Sequence, residues 1–166
     1  MSWIAPARLR EVGILGMNRR NIEFIGQYND RRNFPLVDNK LTTKLIANEA
    51  SLAVPRLIKV VDTQHSIEQI GQTLEELNDF VAKPAQGSGG KGILVITEKQ
   101  GDQFRKASGD LISLADVQRH LTNTISGLHS LGGRNDIAFL EERVIVDDRF
   151  KKISFEGVPD IRLIVF

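Results

Sequence analysis

The sequence predicts a mixed α+β (α/β) fold, and three observations carry that reading. Short β-branched runs alternate with amphipathic helical stretches from residue 38 onward. A glycine-rich segment, residues 86–92, joins two of the strand-like runs instead of opening a helix. The chain has 166 residues, 41% of them hydrophobic and 26% charged, which suffices for one good core or two small ones.

The elements follow in order. Residues 13–35, GILGMNRRNIEFIGQYNDRRNFP, show no sustained periodicity and predict short helical or irregular structure. Asp38 reads as the N-cap of a helix in which Leu41, Leu45 and Ile46 recur at helical spacing, with Lys40 and Lys44 four apart on one face, and Ala53-Val54-Pro55 ends the element. Leu57 to Val61 is a short strand, Ser66 to Leu77 a helix with Ile67, Ile70, Leu74 and Leu77 in phase, and Phe80 to Ala85 a strand again, so a strand-helix-strand unit is expected. After the glycine loop, Ile93 to Thr97 is strand-like and Lys99 to Asp102 a turn. Ser113 with Asp116 three residues on reads as the cap of a helix running through Val117, Leu121, Ile125 and Leu128 to a stop at Gly132-Gly133. Strands are expected at Ala138 to Val146 and Asp160 to Phe166, with a short β-like run at Lys152 to Phe155 between them. The sequence ends within the apolar run RLIVF, which is the expectation for a part of a longer protein.

Composition excludes several chemistries. There is no cysteine, hence no disulfide, thiolate metal site or cysteine nucleophile, and His65, His120 and His129 have no metal-ligand spacing. Chemistry must rest on Lys, Arg, Asp, Glu and the backbone. No apolar run approaches the ~18 residues of a membrane span, and the opening MSWIAPARLRE lacks a signal-like stretch, so a cytoplasmic location is the default and no membrane partner is expected. The net charge of +1 conceals an excess of +5 within residues 1–60, where ten Lys/Arg face five acids. Arginines scattered without interleaved aromatics fit a solvated face better than a nucleic-acid site, and no nucleic-acid partner is expected.

The segment Phe80-Val-Ala-Lys83-Pro-Ala-Gln-Gly87-Ser88-Gly89-Gly90-Lys91-Gly92-Ile-Leu-Val-Ile96 is the sharpest local feature. Four glycines within six positions can turn bare backbone N–H groups toward phosphate oxygens, and Lys83 and Lys91 can each add a point charge to a polyphosphate. A plain hairpin would need only one or two glycines. A dinucleotide fingerprint must open a helix, whereas Ile93 to Thr97 is strand-like. A Walker A loop requires Ser or Thr after its lysine, and here Gly92 follows Lys91. A protein kinase places its lysine on a later strand and has an H-R-D loop, neither of which is found.

With Lys83 before the loop and Asp38-Asn-Lys40-Leu-Thr-Thr-Lys44 upstream, the chain resembles the ATP-grasp superfamily. Within it, the likeness is to α-L-glutamate ligase-like proteins related to ribosomal-protein glutamate ligases. Further landmarks in the same order are Val54-Pro55, Phe139-Leu-Glu-Glu-Arg-Val144 and Pro159-Asp-Ile-Arg162. The resemblance implies a truncated ATP-grasp fold: a helical or irregular region over 1–52, a small lid subdomain over 53–137, and a hinge opening the larger subdomain over 138–166. It also implies that the chain is part of an ATP-dependent carboxylate–amine ligase working through an acylphosphate. Its cofactors would be ATP and Mg2+, the metal ligands lying beyond residue 166, and its substrates a carboxylate and an amine, with glutamate suggested by the family name.

The same likeness implies residue roles. Lys40 and Lys83 would contact ATP phosphates and adenine, with Lys44 less sharply assigned. Gly87, Ser88, Gly89, Gly90 and Gly92 would form the lid over the phosphates. Glu141 or Glu142 would hold adenine at the hinge, the doubled acid leaving the register open by one residue, and Asp160 would bind ribose. Lys91 would help neutralise the transferring phosphoryl group, and Arg162, two residues on from Asp160 and so on the same strand face, is the other candidate catalytic residue. The connection Val146-Asp-Asp-Arg-Phe-Lys-Lys152 is longer than in the ribosomal-protein ligases, which weakens any transfer of their substrate. Two other readings stand beside this one: a non-catalytic ATP-grasp relative, and a basic nucleic-acid or protein-binding module around Arg19-Arg20 and Arg31-Arg32. The oligomeric state is left open.

Overall fold

The structure, a computed structural model, describes residues 5–87, 89–130 and 133–150. The described residues divide into two compact units, residues 5–37 and residues 38–150. The described part of the first is a run of short helices: α1 (Pro6–Glu11), α2 (Met17–Arg19), a π turn (Arg20–Ile25), α3 (Gly26–Tyr28) and a 3-10 turn (Arg31–Asn33) leading into α4 (Phe34–Asp38). None of these segments buries a residue, as expected where apolar positions recur without a helical period.

In the second unit, α5 (Lys40–Glu49) starts one residue later than the sequence reading placed it. Asp38 closes the preceding helix, and Asn39, in an extended conformation, is the cap whose side chain accepts from the Thr42 N–H at 3.0 Å. The sheet has six strands: β1 (Leu57–Val61), β2 (Phe80–Pro84), β3 (Leu94–Gln100), β4 (Gln103–Lys106), β5 (Leu111–Ser113) and β6 (Ala138–Glu141). Their order is β1-β6-β2-β3-β4-β5 and every neighbouring pair is antiparallel. The strand-helix-strand unit is present, yet its two strands are not neighbours, because β6 returns late in the chain and inserts between them. The expected single helix from Ser66 is two short ones, α6 (Gln64–Glu68) and α7 (Ile70–Glu75), the first held by a capping box between Thr63 and Ser66.

The helix α8 (Leu114–Ile125) has the predicted Ser113–Asp116 capping box. Its stop, however, is Gly127 and not the Gly132-Gly133 pair. Gly127 has φ +86°, and a Cβ there would lie 2.2 Å from the Arg134 carbonyl oxygen, so a side chain is excluded twice over. Strand β6 ends at Glu141, short of the expected Val146, where the chain leaves the sheet beside Arg56 through the Glu142 N–H to Arg56 carbonyl bond of 2.9 Å. The expected strands at 152–155 and 160–166 lie outside the described residues.

The two sheet faces differ. Helices α6, α7 and α8 cover one face, where Ile67, Ile70, Leu74, Val117 and Leu121 pack on Phe80, Ala82, Ile96, Ala138 and Leu140, and Phe80 meets Phe104 edge to face at 6.0 Å. Each of the buried Ile, Leu, Val and Phe side chains contributes ~1.5–3 kcal/mol relative to exposure. On the other face Leu41 of α5 packs with Ala85 and Phe139. Since β6 is central and covered on both faces, all four of its residues are buried.

Candidate functional site

The second face assembles most of the cations that the sequence singled out. Register fixes this. Lys83 pairs with Phe139 and Val81 with Glu141 across the antiparallel β2–β6 ladder, so Lys83, Phe139 and Glu141 share one face, and Lys83 reaches Glu141 along the diagonal. The Lys83 ammonium forms an ion pair with Glu141 Oε1 and sits 5.3 Å from the Phe139 ring centroid. From above, Lys44 on α5 brings its Nζ to 2.9 Å from Glu141 Oε2 and donates to the Pro55 carbonyl. Glu141 Oε2 makes no well-directed hydrogen bond, but the Lys44 ammonium beside it supplies its counter-charge. Lys44 and Glu141 are 6% and 7% exposed. Lys44 therefore departs from the solvated helix face that its spacing alone suggests.

This geometry separates the doubled acid. Glu141 is buried under both lysines, while Glu142 points outward, 61% exposed and 3.9 Å from Arg56. The following residue, Arg143, turns back and donates from Nε to Asp79 Oδ2 at 2.8 Å, tying the end of β6 to the start of β2.

Lys40 is the first residue of α5. Its N–H donates to the Ala85 carbonyl at 2.8 Å and its ammonium donates to the carbonyl of Gly87, at the root of the glycine loop. Burial pushes its pKa below the ordinary lysine value; the nearby Asp136 charge opposes that shift and Lys83 adds to it. In the loop, Gly89 and Gly90 have φ +62° and +74°, with no described atom within 4 Å of where a Cβ would stand, so their backbone is open to an approaching group. Lys91 is exposed beside them. Gly92 is different: at φ +76° a Cβ would lie 2.6 Å from the His129 ring, so only glycine allows the strand to begin there. Ser88, Asp160 and Arg162 lie outside the described residues.

A family model described as sugar-transfer associated ATP-grasp matches residues 19–166. The chain belongs to this ATP-grasp family. Comparisons with curated proteins and with solved structures return no match. In this ATP-grasp chain the described residues suit a polyphosphate: Lys40 and Lys83 lie at the root of a loop in which Gly89 and Gly90 present uncovered backbone. A metal is a different matter, because no group of three His, Asp, Glu or Cys side chains comes together among the described residues. The Mg2+ that typically accompanies ATP in this family finds no protein ligand set there.

Three residues beyond those assigned by likeness shape the site. Asp136, buried just before β6, accepts from the Gln86 N–H, the Ser130 hydroxyl and the Ile137 N–H. In the sequence it follows Gly-Gly-Arg-Asn and reads as a turn residue; its burial comes only from tertiary structure. His120 on α8 contacts the Gly92 carbonyl through Nε2 at 3.0 Å and stacks with His129, with centroids 5.8 Å apart. Burial lowers the His120 pKa, against the Gly92 hydrogen bond and together with the His129 charge. Two of the scattered histidines thus pin the far root of the glycine loop. No helix of the described residues is long and apolar enough to cross a membrane.

Proposed function

We propose that this chain carries the nucleotide-gripping half of an ATP-dependent carboxylate–amine ligase. A carboxylate oxygen attacks the γ-phosphorus of ATP and ADP leaves, giving an acylphosphate. An amine then attacks the acyl carbon, phosphate leaves, and the nitrogen loses a proton to form the amide. The observation that supports this reading most directly is the placement of Lys40 and Lys83 at the root of a glycine loop with open backbone at Gly89 and Gly90.

In this reading Lys40, Lys83, Lys91 and the loop amides neutralise the phosphates, and dense positive charge fixed in place is what phosphoryl transfer requires. Lys44 and Glu141 orient Lys83, and the backbone beyond Glu141 receives adenine at the strand end. Asp160 binds ribose and Arg162 the transferring phosphoryl group. The description of the family as sugar-transfer associated makes a carboxyl- or amino-bearing sugar a reasonable acceptor, with glutamate as the other partner suggested by the ligase resemblance. A cytoplasmic location fits the demand for ATP.

The test is ATP titration by saturation-transfer NMR on the chain and on its Lys83→Ala variant, with circular dichroism confirming that both fold. Saturable binding lost in the variant supports the site. A folded wild-type chain that shows no saturable ATP contact refutes it.

A further inference from the structure

We propose that Asp136 is a positioning residue of the nucleotide site: its carboxylate fixes the root of the glycine loop, where the Lys40 ammonium is held on the Gly87 carbonyl, and its negative charge acts on that ammonium. The inference rests on the nucleotide reading above, but its structural half stands on contacts independent of any ligand.

The carboxylate, only 6% exposed, lies where four chain segments meet. Both of its oxygens accept from the Gln86 N–H, at 3.1 and 3.0 Å, which fixes the first residue of the loop. Oδ2 accepts from Ser130 Oγ at 2.6 Å, and residue 130 bridges Gly87 through a short antiparallel pairing. Oδ1 accepts from the Ile137 N–H at 2.7 Å. The Asp136 N–H donates to the Ile125 carbonyl at 3.1 Å, where the negative end of α8 disfavours a carboxylate. A buried charge placed at the wrong end of a helix persists only if its donors and a nearby cation outweigh that penalty.

The cation at this loop root is Lys40, whose ammonium donates to the carbonyl of Gly87, the residue that bridges Ser130. Two charges act on it, Asp136 from the segment before β6 and Lys83 from β2. Lys83 is itself paired with Glu141, which Lys44 of the same helix also engages, so Glu141 is already shared between two ammoniums. Asp136 is thus the anion that raises the Lys40 pKa, against the burial and the Lys83 charge that lower it.

Asp136→Asn separates charge from geometry. The amide oxygen keeps a partner for the Gln86 N–H, and the amide NH2 can donate to Ser130 Oγ, but the negative charge is gone. The experiment follows the 13C-methylated lysines of the whole chain by NMR from pH 6 to 11, Lys40 being assigned by its loss in Lys40→Arg. Amide exchange at Gln86 is measured alongside in Asp136→Asn and Asp136→Ala. The expected result is a Lys40 midpoint displaced downward in Asp136→Asn, with Gln86 exchange close to wild type, and roughly tenfold or faster exchange at Gln86 in Asp136→Ala. An unmoved Lys40 midpoint in folded Asp136→Asn overturns the proposal, as does unchanged Gln86 exchange in folded Asp136→Ala. If Asp136→Ala does not fold, Asp136→Asn decides alone. ATP affinity across the same pH range gives the functional arm: its high-pH limit should shift down with the Lys40 midpoint. A wild-type chain that binds no ATP removes the nucleotide reading while leaving the Lys40 and Gln86 results to decide the role of Asp136.

Discussion

Neutralising Glu141 should unsettle the fold far more than neutralising its neighbour. Glu141→Gln removes the charge shared by Lys44 and Lys83, whose side chains are 6% and 22% exposed. Stranding a buried charge costs ~3–5 kcal/mol. Lys83 can turn partly to solvent and the glutamine oxygen still accepts one hydrogen bond, so the lower end, about 3 kcal/mol, is expected. For a chain of this size that is a fall of roughly 6–12 °C in Tm. Glu142→Gln loses an exposed pairing at 3.9 Å and should change stability by no more than about 0.5 kcal/mol. Adding Lys44→Met to Glu141→Gln removes the stranded ammonium and should restore at least ~1 kcal/mol, a coupling that a double-mutant cycle reads directly. Urea denaturation followed by circular dichroism at pH 7 measures all four proteins. If Glu141→Gln stays within 0.5 kcal/mol of wild type on the scale of surface substitutions, or Glu142→Gln costs as much, the buried triad does not have the energetic role assigned to it.

Further outcomes follow from the same geometry. Lys40 titrates below the ordinary lysine value because burial disfavours its charge, so the native state binds fewer protons than the unfolded chain between that lowered value and the ordinary 10.5. Stability should therefore rise with pH in this window, while affinity for a polyphosphate falls through it; chemical denaturation and ATP titration at matched pH test both. His120, lowered chiefly by burial, contributes stability that is present above the unfolded value of 6.5 and lost as pH falls through its folded value, and His120→Gln should flatten that acid limb. Gly92→Ala should cost ~2 kcal/mol or more from left-handed backbone strain and the clash with the His129 ring. Adding His129→Ala removes the ring but keeps the residue-129 Cβ, 2.8 Å from the added methyl, so it should recover only part of the clash and none of the strain, and thermal melts of the single and double variants measure that part.

Much of this arrangement was legible in the sequence wherever local chemistry decides it. The hairpin around the glycine loop follows from β-branched runs flanking four glycines, and the α8 start follows from a cap whose two partners are three residues apart. The α5 cap missed by one residue because Asp38 and Asn39 are both good caps, and the choice went to the one in an extended conformation. Strands β4 and β5 were not foreseen. Gln103–Lys106 is mostly polar and buries only Phe104, so its strand character comes from pairing with β3 and not from its own pattern. Gly127 was passed over for Gly132-Gly133 because a doubled glycine is the louder signal, although the helix ends where a glycine meets another backbone.

The Glu141–Glu142 ambiguity shows why the site itself was only half readable. Alternation along a strand says that two adjacent acids face opposite sides, but not which side is covered. For an ordinary strand one face is wet and the acid belongs there. β6 is instead central, with α8 on one face and α5 on the other, so the apolar run Ala138-Phe139-Leu140 gives no alternation to count from. The deciding information lies about 100 residues away in Lys44. A lysine at helical spacing from Lys40 reads as solvated until the sheet places an anion beneath it, and a glutamate at the end of a buried run reads as misplaced until two ammoniums cover it. Each residue contradicts its own local expectation, and the two contradictions cancel only when β6 is inserted between β1 and β2. That late, long-range strand insertion is therefore the step that builds the cationic face, and any variant that folds without it should lose the Lys44–Glu141–Lys83 cluster as a unit.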